Sequence, residues 1–234
     1  MIKRTISFLF LLSFLSTAAF SQIYQPKLGA WYMYFWNTTI TKSGFGMQGD
    51  VQYRNWNLAG DLEQLLLRAG PTYTIPKTRV KMTLGYAYIL SESFADTRSY
   101  TQEHRIYQEA LIPQRLGEKF LLTHRFRLEQ RDVDGQDRRN RARYFLAVNY
   151  PFNRNDLGEG AVYLSFYNEL FINLEQSIGN GRYVDHFDRN RAYLALGYSV
   201  SDNVRLQFGY MHQDTDEVSK GQVQFNLFHR FSLN

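Results

Sequence analysis

The sequence predicts an all-β chain: an antiparallel transmembrane β-barrel of about twelve strands, with ten as the alternative count, behind a signal peptide. Three observations carry that prediction. Most of the chain alternates with a period of two, so that Val204, Leu206, Phe208 and Tyr210 fall on one side of a segment whose other side is Arg205, Gln207, Gly209 and Met211. A helix would scatter both sets around its circumference, whereas an extended strand sorts them. The chain is rich in rings, with 17 Tyr, 18 Phe and 3 Trp, as in barrels that gather aromatic girdles at both membrane interfaces. Its one long apolar run is N-terminal and laid out as a secretory leader.

In that leader Lys3 and Arg4 precede an apolar stretch over 8–15, and Ala19-Phe20-Ser21 stands before Gln22. Cleavage is expected after residue 21, leaving 22–234 as a single barrel domain exported to the outer membrane. Without Lys3 and Arg4 the 27 basic residues become 25 against 22 acidic ones, a mature charge of +3. That bias is too mild to imply nucleic acid. Cysteine is absent, which excludes thiolate zinc sites, cysteine nucleophiles and disulfides. No later segment approaches the roughly 18 continuous apolar residues of a membrane helix. Alternation hides the lipid-facing half of a barrel strand from such a test.

Eleven strands can be counted directly, over 28–37, 44–56, 61–74, 79–91, 101–113, 119–131, 138–150, 161–174, 187–200, 203–213 and 221–233. Most reach the roughly 9–11 residues that a tilted strand needs to cross a bilayer. Tight turns at 75–78, 116–119 and 201–203 alternate with longer polar connections at 91–101, 132–138, 174–186 and 214–221, the pattern of short periplasmic turns and longer outer loops. The ten-residue stretch 151–160 departs from it. Single-chain bacterial barrels usually have an even number of strands with both ends in the periplasm. Eleven is therefore read as a miscount, with either a bent strand within 32–50 or a further strand in the leader at 22–27. The last strand, with Val223, Phe225, Leu227, His229 and Phe231 on one side, resembles the C-terminal signal read by the barrel-assembly machinery, although the chain ends on Leu233-Asn234 rather than an aromatic. Gly197 and Gly209 read as places where crowded rings or strand curvature exclude a side chain.

Alternation alone does not say which face is inside, because soluble barrels alternate as well. Charge decides the expectation. The polar face carries Arg105, Glu109, Arg125, Arg127, Glu129, Arg131, Arg139, Arg141, Arg143, Glu169, Arg189, Arg191, Arg205 and Arg230. Those groups belong in a hydrated lumen, with the apolar face in lipid. Folding the chain about Leu116-Gly117 sets Arg105 opposite Glu129 and Glu109 opposite Arg125, and the next hairpins bring Arg143 and Arg191 to Glu169. The nine residues Arg105, Glu109, Arg125, Arg127, Glu129, Arg141, Arg143, Glu169 and Arg191 thus form a candidate lumenal charge network. It could act as a salt-bridge plug that holds the strands in register, or as an anion-attracting constriction, since rings of arginine select anions. Arg139-Asn140-Arg141-Ala142 and Arg189-Asn190-Arg191-Ala192 open two strands with the same four residues, either by hairpin duplication or by similar lumenal demands.

No motif assigns a reaction. His104, His186 and His212 fall near Ser91, Ser93, Ser99 and Ser177 in sequence, but no spacing joins a nucleophile to a base. His104-Arg105, His124-Arg125 and His229-Arg230 read as interfacial histidines. The loop 132–137 has three aspartates but lacks the closing Glu of a calcium loop. No catalytic residue, metal or cofactor is expected.

The segments Gly29-Ala30-Trp31-Tyr32, Leu66-Leu67-Arg68-Ala69-Gly70-Pro71, His124-Arg125-Phe126-Arg127-Leu128-Glu129, Tyr167-Asn168-Glu169-Leu170-Phe171 and Phe187-Asp188-Arg189-Asn190-Arg191 resemble those of an uncharacterised bacterial family, domain of unknown function 2490, regarded as an outer-membrane barrel. The resemblance spans nearly the whole mature chain. It implies a barrel and supplies no activity, cofactor or catalytic residue. The expected function is structural, or passage of small solutes through the arginine- and glutamate-lined lumen. The expected partners are outer-membrane lipid, lipopolysaccharide and the assembly machinery, and the protein is expected to be a monomer. A lipid-modifying enzyme and a soluble periplasmic binding barrel are the alternatives.

Overall fold

The computed structural model describes residues 23–24, 28–93 and 99–232, and the expected leader over 1–21 and the chain end at Leu233-Asn234 lie outside them. Every regular element among the described residues is a strand. The strands are β1 (Ile23–Tyr24), β2 (Gly29–Thr39), β3 (Phe45–Asn55), β4 (Leu62–Thr74), β5 (Lys81–Glu92), β6 (Tyr100–Leu116), β7 (Phe120–Val133), β8 (Arg139–Pro151), β9 (Val162–Asn173), β10 (Phe187–Ser199), β11 (Val204–Asp214) and β12 (Val218–Ser232). From β2 to β12 each pairs antiparallel with the next, and β12 returns to pair with β2. The sheet is a closed barrel without a free edge.

The barrel has eleven staves, and the expected twelve is corrected. The direct count along the sequence stands; the parity rule used to reject it does not hold in this chain. In a meander of odd number the first and last strands run the same way. The closing seam β2–β12 is accordingly parallel over eleven residue pairs, from Gly29–Gln222 to Thr39–Ser232. Neither reading offered to restore an even count survives as stated. The stretch 32–50 holds two separate strands joined by a turn. Within 22–27, Ile23 and Tyr24 do join the sheet, parallel to Val218 and Ser219 of β12. They continue the line of β2 along the same neighbour rather than adding a stave. The ends of the staved chain therefore lie on opposite rims, the start of β2 at one and the end of β12 at the other.

The rim reached by the end of β12 carries the turns at 40–44, 75–80, 117–119, 152–161 and 200–203. The opposite rim carries the long connection 174–186, but the expected long loop at 214–221 is only the turn 215–217. There Val218 N–H donates to the Thr215 hydroxyl at 2.9 Å and Thr215 N–H to the Val218 carbonyl at 2.9 Å. This closure lets β12 begin three residues earlier than its apolar alternation indicated.

Period-two patterning separates the two faces. Leu84, Leu196, Phe208 and Phe225 point outward, Leu196 being 61% exposed, while Glu129 inside is 1% exposed. Rings crowd the inner wall: Tyr163, Phe171 and Tyr193 are fully buried. Eleven staves enclose more space than the roughly eight that side chains just fill, so the lumen needs long side chains. Two glycines make room for them. A Cβ on Gly197 would come within 2.2 Å of the Tyr163 ring, and one on Gly85 within 2.0 Å of the Tyr107 ring. Each tyrosine lies directly across the register from its glycine. At Gly209 a Cβ would meet the Leu194 carbonyl at 2.3 Å, which accounts for the residue type there as well.

Candidate functional site

The lumen has two kinds of wall. Along β9–β12 it is held by phenol–amide contacts. Gln207 donates to the Tyr163 hydroxyl at 3.2 Å, Gln224 to Tyr167 at 3.1 Å and Asn226 to Tyr193 at 2.8 Å. Along β3–β10 it is held by arginine and carboxylate.

All nine residues of the expected network lie in this lumen. Eight are buried, and Arg125 is half-buried. Glu129 is the centre: it accepts from Arg141 Nε at 3.0 Å and Nη2 at 2.6 Å and from Arg143, while Arg127 at 3.7 Å and Arg105 at 3.8 Å complete four guanidinium groups around one carboxylate. Glu109 accepts from Arg127 and from Gln48 Nε2 at 2.8 Å, with Arg125 at 3.7 Å. Glu169 accepts from Arg125 at 2.6 Å and from Arg143 at 2.9 and 2.6 Å. Such pairs are favourable where the remaining donors and lone pairs are also met; the shared carboxylates meet most of them by bridging neighbouring strands, while Arg125 Nε and Arg127 Nη1 stay buried without a hydrogen-bond partner.

The expected β6–β7 register is off by two residues. The pairs are Arg105 with Arg131 and Glu109 with Arg127, because the hairpin closes on Leu116 and Phe120 around a three-residue turn with Gly117 at a φ of 62°. A slide of two keeps every side chain on its face, so the expected partners survive as diagonal neighbours, Arg105–Glu129 and Arg125–Glu109. The expected Arg143–Glu169 contact is formed. The expected Arg191–Glu169 contact is not: the two are register partners, but Glu169 is occupied by Arg125 and Arg143, and Arg191 instead donates from Nε to Gln213 at 2.8 Å.

The repeated Arg-Asn-Arg-Ala segments have a joint structural role. β8 and β10 flank β9, and both direct arginines at Phe171, a ring with the guanidinium carbons of Arg143, Arg191, Arg141 and Arg189 at 4.3, 4.8, 5.1 and 5.9 Å. Cations within about 6 Å of a ring face are attracted to it. The ring therefore spaces cations that would otherwise repel.

Sequence reasoning left out Trp31, Asp50, Arg54, Arg68 and Glu103. Asp50 accepts from Arg68 Nε at 2.9 and 3.0 Å, and Glu103 is clamped by Arg105 and Arg131. Their signal was available: Gln48, Asp50, Gln52 and Arg54 alternate with Met47, Val51 and Tyr53 within an expected strand. Arg205, by contrast, has no carboxylate within 4 Å among the described residues and lies over the Phe228 ring at 5.7 Å, and Arg230, in the same phase of β12 as the buried Gln222, Gln224 and Asn226, is exposed near the end of that strand. A lumenal cavity of about 330 Å³ remains, lined by ten arginines and two glutamates.

His104 and His124 bond outward-facing tyrosines, with His124 Nδ1 2.9 Å from the Tyr144 hydroxyl. His212 does meet a serine that sequence spacing did not reveal: Ser219 Oγ lies 3.0 Å from its Nε2. Asp214 approaches the same nitrogen, at 2.9 Å. A relay needs serine and carboxylate on opposite ring nitrogens, so this trio lacks the required arrangement. The three aspartates of the 132–137 loop turn to different partners, Asp132 to Arg138, Asp134 to the Gln102 N–H and Asp137 toward Gly179. Among the described residues no group of three or more His, Asp or Glu could hold a metal.

Fold and site together define a closed eleven-stranded β-barrel with its charge inside and its apolar face outside. The chain belongs to the family described as protein of unknown function (DUF2490), whose model matches residues 28–224. It is also similar to an uncharacterised protein of Methylorubrum extorquens, 30% identical over 207 residues that cover 85% of this chain and 83% of that one.

Proposed function

We propose that this protein is a monomeric outer-membrane β-barrel whose lumen admits small anionic solutes and is otherwise shut by its arginine–carboxylate network. The observation that carries the anion reading is the lining of the cavity, ten arginines against two glutamates. Rings of guanidinium favour anions, and the filled walls beside the cavity oppose free flow.

The outer face supports a membrane setting. On β6 the outward positions between His104 and Gln114 span ten residues, which at ~3.3 Å each and a tilt near 40° is an apolar band about 25 Å tall. The polar side chains within the band satisfy one another. Gln108 and Gln130 exchange amide hydrogen bonds at 3.0 and 3.2 Å, and Asn168 and Asn190 do so at 2.9 and 3.1 Å. Outward amides paired in this way suit a surrounding that offers no water. The reading includes no catalysis and no cofactor; lipid, lipopolysaccharide and the barrel-assembly machinery are its partners.

Membrane fractionation with heat-modifiable gel mobility tests the setting, and recovery in the periplasmic fraction without detergent would overturn it in favour of a soluble barrel. Planar bilayers test the lumen. Small, anion-selective steps are expected; large or cation-selective steps would refute the proposal.

A further inference from the structure

We infer that the lumen contains a specific subsite for an organic oxyanion, a carboxylate or phosphate ester, with its charged head between Arg54 and Arg191 beside Trp31 and its apolar body along Met33 and Phe35. The inference rests on the anion reading above and specifies where and what the lumen binds.

The cavity arginines fall into two classes. Seven of them, such as Arg68 on Asp50 and Arg125 on Glu169, have a carboxylate within 4 Å. Arg54, Arg191 and Arg205 have none among the described residues. Arg54 and Arg191 are nevertheless buried, at 6% and 7% exposure, and held in place by neutral amides. Arg54 donates to Gln64 and Gln52 at 2.7 Å each, and Arg191 donates from Nε to Gln213. An amide orients a guanidinium without neutralising it. The two guanidinium carbons lie 3.7 and 4.9 Å from the Trp31 ring centre, and so within about 9 Å of each other. Two like charges so placed in a low-dielectric wall have no carboxylate in contact to offset them, and a bound anion supplies one.

Donors are also left over at this spot. Arg54 Nε and Trp31 Nε1 are buried without a hydrogen-bond partner, and among the described residues the one side-chain hydrogen bond of Arg191 is from Nε, to Gln213. Buried donors are normally satisfied, so an unfilled set converging on one place marks where acceptor oxygens belong. A planar guanidinium fork matches carboxylate and phosphate.

The body of the ligand follows from β2. Trp31, Met33 and Phe35 are successive inward positions of one strand, and Phe35 stacks on Phe228 at 4.9 Å. This places an apolar rail about 13 Å long beneath the charged end. The 330 Å³ cavity falls at the low end of the roughly 300–1,000 Å³ of small-molecule sites. Arg205 stands at the far end of the rail, over Phe228, and serves as the internal control.

The test is calorimetric titration of the full-length protein in detergent micelles at physiological chloride, with phenyl phosphate, inorganic phosphate and benzyl alcohol as separate probes. Phenyl phosphate is expected to bind saturably, inorganic phosphate more weakly and benzyl alcohol not at all. Arg54→Gln and Arg191→Gln should each raise the dissociation constant of phenyl phosphate at least about tenfold, and Arg205→Gln much less. Arg191→Lys keeps the charge without the fork and should give an intermediate loss if the glutamine variants fail to fold. Binding that survives Arg54→Gln and Arg191→Gln but is lost in Arg205→Gln would overturn this subsite while leaving an anion-binding lumen intact. Equal binding of benzyl alcohol would remove the oxyanion head, equal binding of inorganic phosphate would remove the apolar rail, and no saturable heat from any probe would sink the inference outright.

Discussion

Glu129 and Arg141 face each other directly across β7 and β8, and one carboxylate oxygen accepts both Nε and Nη2 of the guanidinium, at 3.0 and 2.6 Å. The same glutamate also serves Arg143, so neutralising it strands several buried cations at once. Glu129→Gln is therefore expected to destabilise the barrel by about 3–5 kcal/mol, the cost of breaking a buried pair by removing one member. Denaturant unfolding in micelles measures it; a change under about 1 kcal/mol would mean that the lumen is wet enough to screen these charges.

The parallel seam can be trapped chemically, because the chain has no cysteine of its own. Tyr32 and Phe225 are register partners across β2–β12, with rings stacked at 5.2 Å. Tyr32→Cys combined with Phe225→Cys should oxidise to an intrachain disulfide, visible as a gel shift reversed by reductant. A twelve-stave antiparallel closure would separate the two positions and give no crosslink.

Gly197 faces Tyr163, and an added Cβ would approach the ring to 2.2 Å. Gly197→Ala should cost about 1–3 kcal/mol, the range for overpacking, and a second change, Tyr163→Leu, should recover part of that. Additive losses in the double variant would show that the two positions do not share space.

The Gln108–Gln130 pair tests the membrane-facing wall. Gln108→Leu leaves the Gln130 amide without its partner and should destabilise by about 1–3 kcal/mol, whereas the double change to leucine should be near neutral or stabilising. Equal, additive effects of the two single changes would indicate that water reaches this face.

Glu175, in the connection after β9, accepts from the Asn140 side chain at 2.8 Å and its backbone N–H at 2.6 Å. These bonds hold its carboxyl below the usual carboxylate range. Folded below unfolded, such a group contributes stability that is present at neutral pH and is lost as pH falls through the acid range. Amide exchange at Asn140 should accordingly quicken on acidification in the native protein. Glu175→Gln should flatten that dependence, and a dependence that persists in the variant would assign it to another group.

Much of this fold was legible along the chain. The eleven segments lie close to the observed strands, and all nine expected network residues lie in the lumen, because a strand writes its two faces into alternate positions. The parity rule misled because it is a habit of barrels rather than a consequence of pairing; a parallel closing seam satisfies the backbone of β2 and β12 as fully as an antiparallel one. The 215–217 turn was missed because Thr215 closes it through its own hydroxyl, a contact that no alternation records.

Alternating chemistry along the backbone sorts each strand into two faces and places the charged residues together on one of them, since each is a property of single strands. That eleven strands close the barrel, with the charged face inside, was decided by the tertiary structure. Partnership was decided there too. A two-residue slide at Gly117 leaves every face unchanged yet exchanges the partners of Arg105 and Glu109, and the seam that brings Trp31 beside Arg191 joins residues from opposite ends of the chain. Which arginines are neutralised, and that Arg54 and Arg191 are left with amides alone, follows from strand register and barrel closure, where three-dimensional distance, rather than order along the chain, sets each electrostatic contact.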